Sequence, residues 1–293
     1  MNSEEVMRLE DVLEVLDRKI SSLEKTKQFL DNIKRYLDEV YKCEIGFHEF
    51  FSKCRQSNRR LSLFFDETEY SDKFQTIHEE LNKINLNYEN KRETFEQKIA
   101  SERLFSGDKL EEYSKDMCTF FSDMTKQLSD IMERQKRIFS KGKEEINEKG
   151  NMLNRLLNTF LRKVGHSPKT EEIRRFFEKK QSELHNILTS IPSDLEDLGK
   201  MDEGTIRGLY EKTRREILTY REEIRRFATK NNLLSEDEAT LLEAIYEIES
   251  EELEFIEAIE LLTKKISLKE EKIQNVLLEL SKKGFIILKL IAD

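Results

Sequence analysis

A chain of 293 residues with 38% charged residues, two prolines, nine glycines and no Trp lacks the punctuation of sheets and hairpins, and its composition predicts an all-α protein. Its hydrophobic content of 37% is low for a compact ball but recurs at helical spacing, which suits bundles and coiled coils that bury narrow stripes. The net charge is −9, and no phosphate-loop glycine motif, nucleophile elbow, HExxH or zinc-type Cys/His spacing occurs, so no catalytic, cofactor or metal site is expected.

The first predicted helix runs from about Ser3 to Phe65, with apolar residues at Leu9, Leu13, Leu16, Ile20, Leu23, Leu30, Ile33, Leu37, Val40, Phe47, Phe51 and Cys54, mostly in steps of three and four. At 1.5 Å per residue it would be roughly 90 Å long, more than a compact domain needs. The run FFDETEYSDKF supplies turn and cap residues, and a second helix is expected from about Ser71 to Leu104. Gly107 then reads as a helix end, and Asp108 with Glu111 has capping-box spacing. A third helix follows and stops at Gly165, where Pro168 can open the next one. Phe50, Phe121 and Phe139 lie beside the main apolar seams and widen them enough to meet a further helix or a second subunit.

Two shorter helices are expected at about Thr170 to Thr189 and Asp202 to Lys230, joined by SIPSDLEDLGKMDEG, the most loop-like stretch of the chain. In the last sixty or so residues, Ser235 with Glu238 and Ser267 with Glu270 have capping-box spacing before short apolar helices, and FIILKLIAD reads as a strand. This order resembles a winged helix-turn-helix that ends after one strand. Three domains are expected: a coiled-coil bundle over 1–166, connecting helices over 167–231 and the winged-helix-like module over 232–293.

Cys43 and Cys54 are eleven apart on one predicted helix, about 16 Å along its axis, and too far to bridge each other. With Cys118 they read as reduced core thiols of a cytoplasmic protein. The amino-terminal MNSEEVMRLE lacks the apolar run of a signal peptide, and no apolar stretch reaches the roughly 20 residues of a membrane span. Any membrane contact is therefore expected to be peripheral.

Two basic runs stand out. Arg134, Lys136, Arg137, Lys141 and Lys143 have no acid among them, and neither do Lys53, Arg55, Arg59 and Arg60. If the three long helices fold back at their turns, residue 76 lies beside both about 58 and about 138, so the two runs meet at one level of the bundle. These nine residues form the candidate anion-binding site. The acidity is concentrated elsewhere: residues 232–293 hold 7 basic and 15 acidic side chains and no Arg. That module is expected to bind protein, with nucleic acid an unlikely partner.

The three long helices with wide seams and a converging basic site resemble a BAR-type domain, the crescent-shaped dimer that binds curved anionic membranes. The resemblance spans roughly residues 8–165 and is architectural, with a second helix shorter than that pattern wants. It implies a homodimeric, non-enzymatic scaffold on an anionic membrane surface. The alternatives are a coiled-coil adaptor without lipid binding and a DNA-binding winged-helix regulator.

Overall fold

The computed structural model describes residues 3–101, 107–164, 170–248, 255–283 and 285–286, and these contain ten helices and no strand. The chain is all-α. It divides into two compact units, residues 1–62 with 71–137 and residues 63–70 with 138–293, so the divide falls inside the third helix and not after it.

The first unit is built on α1 (Ser3–Phe64), α2 (Ser71–Ser101) and the first half of α3 (Gly107–Val164). Its core positions step by three and four: Phe47, Phe51, Cys54, Asn58 and Leu61 on α1, Phe74, Ile77, Leu81, Ile84 and Tyr88 on α2, and Met117, Phe121, Met124, Leu128 and Ile131 on α3. That is the 3.5-residue period of knobs-into-holes packing. Phe121 is buried, as its place beside the seam anticipates, and its ring lies 5.8 Å from that of Phe47. At the start of α3 the structure departs from the expected cap: the helix begins at Gly107, which places Asp108 inside the first turn.

The three cysteines are free thiols. Cys54 is fully buried, and burial pushes its thiol up to about 11. Cys43 and Cys118 are half-buried, with their Sγ atoms 3.1 Å apart across α1 and α3. Burial raises the Cys118 thiol to about 12, and the neighbouring thiol adds to the effect.

The second unit carries the rest of α3, with α4 (Glu171–Thr189), α5 (Leu195–Lys200), α6 (Glu203–Ile206), α7 (Leu209–Lys230), α8 (Glu236–Tyr246), α9 (Phe255–Lys265) and α10 (Glu270–Lys282). Two expectations change here. The loop-like stretch holds α5, because Asp194 accepts hydrogen bonds from the backbone N–H of Glu196 and Asp197 and so caps a turn that the propensities alone would leave open. The helix expected from Asp202 to Lys230 is broken after Ile206: Gly208 takes φ +64° and its N–H donates to the Leu63 carbonyl at 2.8 Å, a geometry that glycine adopts at little cost.

The unit's core is aromatic, with Phe160 stacked on Phe177 at 4.7 Å and Phe176 on Phe227 at 3.7 Å. Further along α3, Phe139 is buried against Phe64, while Gly142 leaves room for the rings of Phe65 and Tyr210. The Glu145 carboxylate then accepts from the hydroxyls of Tyr70 at 2.6 Å and Tyr210 at 2.7 Å, tying the 63–70 turn and the start of α7 to α3. Burial works against this charge, but the two hydroxyl bonds outweigh it and hold the carboxyl below its usual range.

Helices α8, α9 and α10 pack together at the C-terminal end. The expected capping box forms on α8 between Ser235 and Glu238. On α10 it does not: the helix starts at Glu270 after Lys269, and no side-chain cap forms, so Ser267 lies outside it. Residues 287–293, which carry most of the expected strand, lie outside the described residues, as do Gly165 and Pro168.

Two measurements check this unit. A Cβ on Gly142 would sit 2.5 Å from a Phe65 ring carbon, so Gly142→Ala should destabilise the protein by about 1–3 kcal/mol of overpacking despite the roughly 1 kcal/mol that alanine gains in helix propensity, read as a lower urea midpoint. The Glu145 carboxylate stabilises the fold above the ordinary carboxyl range, and that contribution disappears as pH falls through its depressed folded value. Tyr210→Phe removes one donor and raises the folded value toward the unfolded one, so the loss of melting temperature between pH 7 and 3 should be smaller than in the wild type and complete at a higher pH.

Candidate functional site

What places the two basic runs is the register of α1 against α3. Tyr36 Oη donates to Glu111 at 2.9 Å, 75 residues on, and Ser114 Oγ donates to the Tyr36 carbonyl at 3.2 Å, a separation of 78. Farther along, Gln135 Nε2 donates to the Cys54 carbonyl at 3.1 Å, 81 residues away. The two helices therefore run parallel, with α2 antiparallel between the turns: His48 meets Tyr88 and Asn58 meets Phe74. This register sets Lys53, Arg55, Arg59 and Arg60 level with Arg134, Lys136 and Arg137, all within the first unit.

At that level the seven cations fan around the bundle. Arg134 forms a bidentate pair with Glu80 of α2, one bond being 2.9 Å from Nη1 to Oε1, so it faces α2. The guanidinium holds the Glu80 carboxyl below its usual range, and Glu80 in turn raises Arg134. Lys136 bonds Glu133 of its own helix at 2.8 Å. Lys53, Arg55, Arg59 and Arg137 are exposed and Arg60 is half-buried. Lys53 and Arg60, seven apart, share one stripe of α1 on the side of Tyr36 and Cys43, whose contacts run to α3; Arg55, two residues from Lys53, projects toward another side. Lys141 and Lys143 belong to the second unit. There Lys143 Nζ donates to the Ser193 carbonyl at 2.7 Å, and Lys141 is exposed and helps keep Glu145 ionised.

Beneath the cations lies a feature that the charge pattern hides. Gln135, inside the basic run, is fully buried, and Asn58, inside the other, is 4% exposed. Gln135 Nε2 also reaches Asn58 Oδ1 at 3.4 Å, and Asn58 Nδ2 donates to the Phe74 carbonyl at 3.0 Å, so one polar layer links all three helices. The signal was available: Gln135 stands seven after Leu128, and Asn58 seven after Phe51, which are core positions of the same repeat. Gln135 Oε1 is buried with no hydrogen-bond partner among the described residues, so the layer is not arranged for maximal stability.

Comparison with protein-family models, curated proteins and solved structures finds no match. Among the described residues no group of three or more His, Cys, Asp or Glu side chains is placed to hold a metal ion, and no helix is long and apolar enough to cross a membrane.

Asn58→Ala leaves one of the two Gln135 amide hydrogens buried without its acceptor, the other still held by the Cys54 carbonyl, and should cost about 1–3 kcal/mol in urea unfolding. The double variant Asn58→Leu with Gln135→Leu, which removes both polar groups, should recover most of that loss.

Proposed function

We propose that the protein is a non-enzymatic, dimeric scaffold, BAR-like in its three-helix unit, that attaches to anionic membrane surfaces through the basic level of α1 and α3. The observation that carries this reading is the parallel register, which gathers seven cations from two distant runs onto about two turns of one bundle. Each Lys or Arg near an anionic bilayer contributes about 1 kcal/mol, and several acting together would hold a peripheral protein. Lys53 and Arg137 are exposed at this level, whereas Glu80 already neutralises Arg134 and Glu133 pairs with Lys136.

The C-terminal helices, read as a winged-helix-like module, are assigned to a protein partner. Two of their cations are engaged internally, Lys272 with Asp237 at 2.7 Å and Lys283 with Glu238 at 2.6 Å, and residues 232–293 carry 15 acidic against 7 basic side chains, a balance that disfavours phosphate contacts. A coiled-coil adaptor without lipid binding is the second reading, favoured by the pairing of Arg134 with Glu80 and of Lys136 with Glu133.

Sedimentation with vesicles over a salt series separates the two. Wild-type protein should bind phosphatidylserine-containing vesicles at low salt and not phosphatidylcholine vesicles. The triple variant Lys53→Glu, Lys136→Glu, Arg137→Glu, which leaves the Arg134 pair intact, should bind at least about a hundredfold more weakly, three lost attractions of about 1 kcal/mol each. Absence of wild-type binding at any salt would reject the membrane reading and leave the adaptor.

A further inference from the structure

The amino-terminal part of α1 carries a surface that its own unit leaves uncovered. Every residue from Asp11 to Gln28 is exposed. Along this segment Leu13, Leu16, Ile20, Leu23, Leu30 and Leu37 are 42–69% exposed. Single exposed leucines are ordinary, but a continuous stripe of them is not. Leu16, Leu23, Leu30 and Leu37 are spaced by seven and form one heptad position, d; Leu13 and Ile20 occupy position a, followed by Lys27 and Lys34. Val40 and Phe47, which pack within the unit, lie on the neighbouring g stripe, and the d stripe enters the core only at Phe51. More than three heptads of this pattern are what a coiled coil needs, and a helix segment this long with nothing packed on it is marginal in water.

We infer that residues 13–37 of α1 form a parallel, two-stranded coiled coil with the same segment of a second copy of this chain. The charges beside the seam select the partner and its direction. Position e is acidic in every heptad, with Asp17, Glu24, Asp31 and Asp38. An antiparallel pair sets e against e and would align these acids across the interface. A parallel pair sets g against e, which places Lys19 of each chain beside Glu24 of the other and opposes no like charges along the e and g flanks, so four acidic positions are relieved while only Lys27 and Lys34 at position a face their own copies. Leucine at d favours two parallel strands, and lysine at two a positions disfavours larger assemblies, because each further strand would bury more cations. This identifies the surface behind the dimer in the proposed scaffold and rests on that reading only for its purpose.

The test uses the full chain without lipid, so its outcome is independent of vesicle binding. Sedimentation equilibrium should give twice the 35.0 kDa chain mass. Leu16→Glu with Leu23→Glu should weaken self-association on the order of a hundredfold. Because both residues are exposed, the melting temperature of the three-helix unit, followed by near-UV circular dichroism at a concentration where both proteins are monomeric, should not change. Leu16→Cys under oxidised glutathione should give a disulfide-linked dimer that the wild type, with its three native cysteines, does not form, since a parallel in-register pair sets the two residues 16 face to face. A monomeric wild type, a trimer or tetramer, or a dimer that survives the double substitution would overturn the inference. So would cross-linking that requires Leu13→Cys chains mixed with Leu37→Cys chains, the signature of an antiparallel pair.

Discussion

The buried hydrogen-bonded layer of Gln135, Asn58 and the Phe74 carbonyl is the constraint on which the three-helix unit depends. Apolar core positions on all three helices recur every seven residues, as in Phe47, Cys54 and Leu61, in Phe74, Leu81 and Tyr88, and in Met117, Met124 and Ile131. Helices patterned this way can slide by one heptad and still match apolar faces. The amides remove that degeneracy, because a slipped register would set them against hydrocarbon at about 1–3 kcal/mol for each stranded group. Specificity of alignment is bought with an imperfect layer, one amide oxygen of which has no partner among the described residues.

With the register fixed, helix length decides what is covered. Helix α2 has 31 residues against 62 in α1 and 58 in α3. It runs out of residues before it can shield the start of α1, and α3 begins beside Tyr36. The exposed leucine stripe is therefore a result of unequal lengths, and the basic level follows from the same alignment. The second unit is held differently, through stacked phenylalanines and the Glu145 clasp on two tyrosines.

Period and caps made most of the helices legible. Helix α1 ends within a residue of its expected limit, and the counting that set residue 58 beside 138 agrees with hydrogen bonds that join residues 75–81 apart. Short-range rules failed where a distant partner decides the backbone. The break at Gly208 depends on the Leu63 carbonyl, and Gly142, which reads as filler between two lysines, is required by two aromatic rings. Ser267 and Glu270 have the right spacing for a cap, yet α10 starts after Lys269, because spacing does not fix where the first turn closes. Charge runs misled in a related way: linear counting groups cations that helix geometry turns to different sides, and it skips the uncharged Gln135 between them.

Every side chain of α1 from Asp11 to Gln28 is exposed, so this length of helix contributes no layer to the bundle's core. Insertion or deletion of whole heptads there would move the amino terminus by about 10 Å per heptad and leave every core layer where it is. Between residues 40 and 61 the same change would shift Asn58 away from Gln135. The molecule thus contains a ruler whose length can drift over evolutionary time beside a bundle whose length cannot.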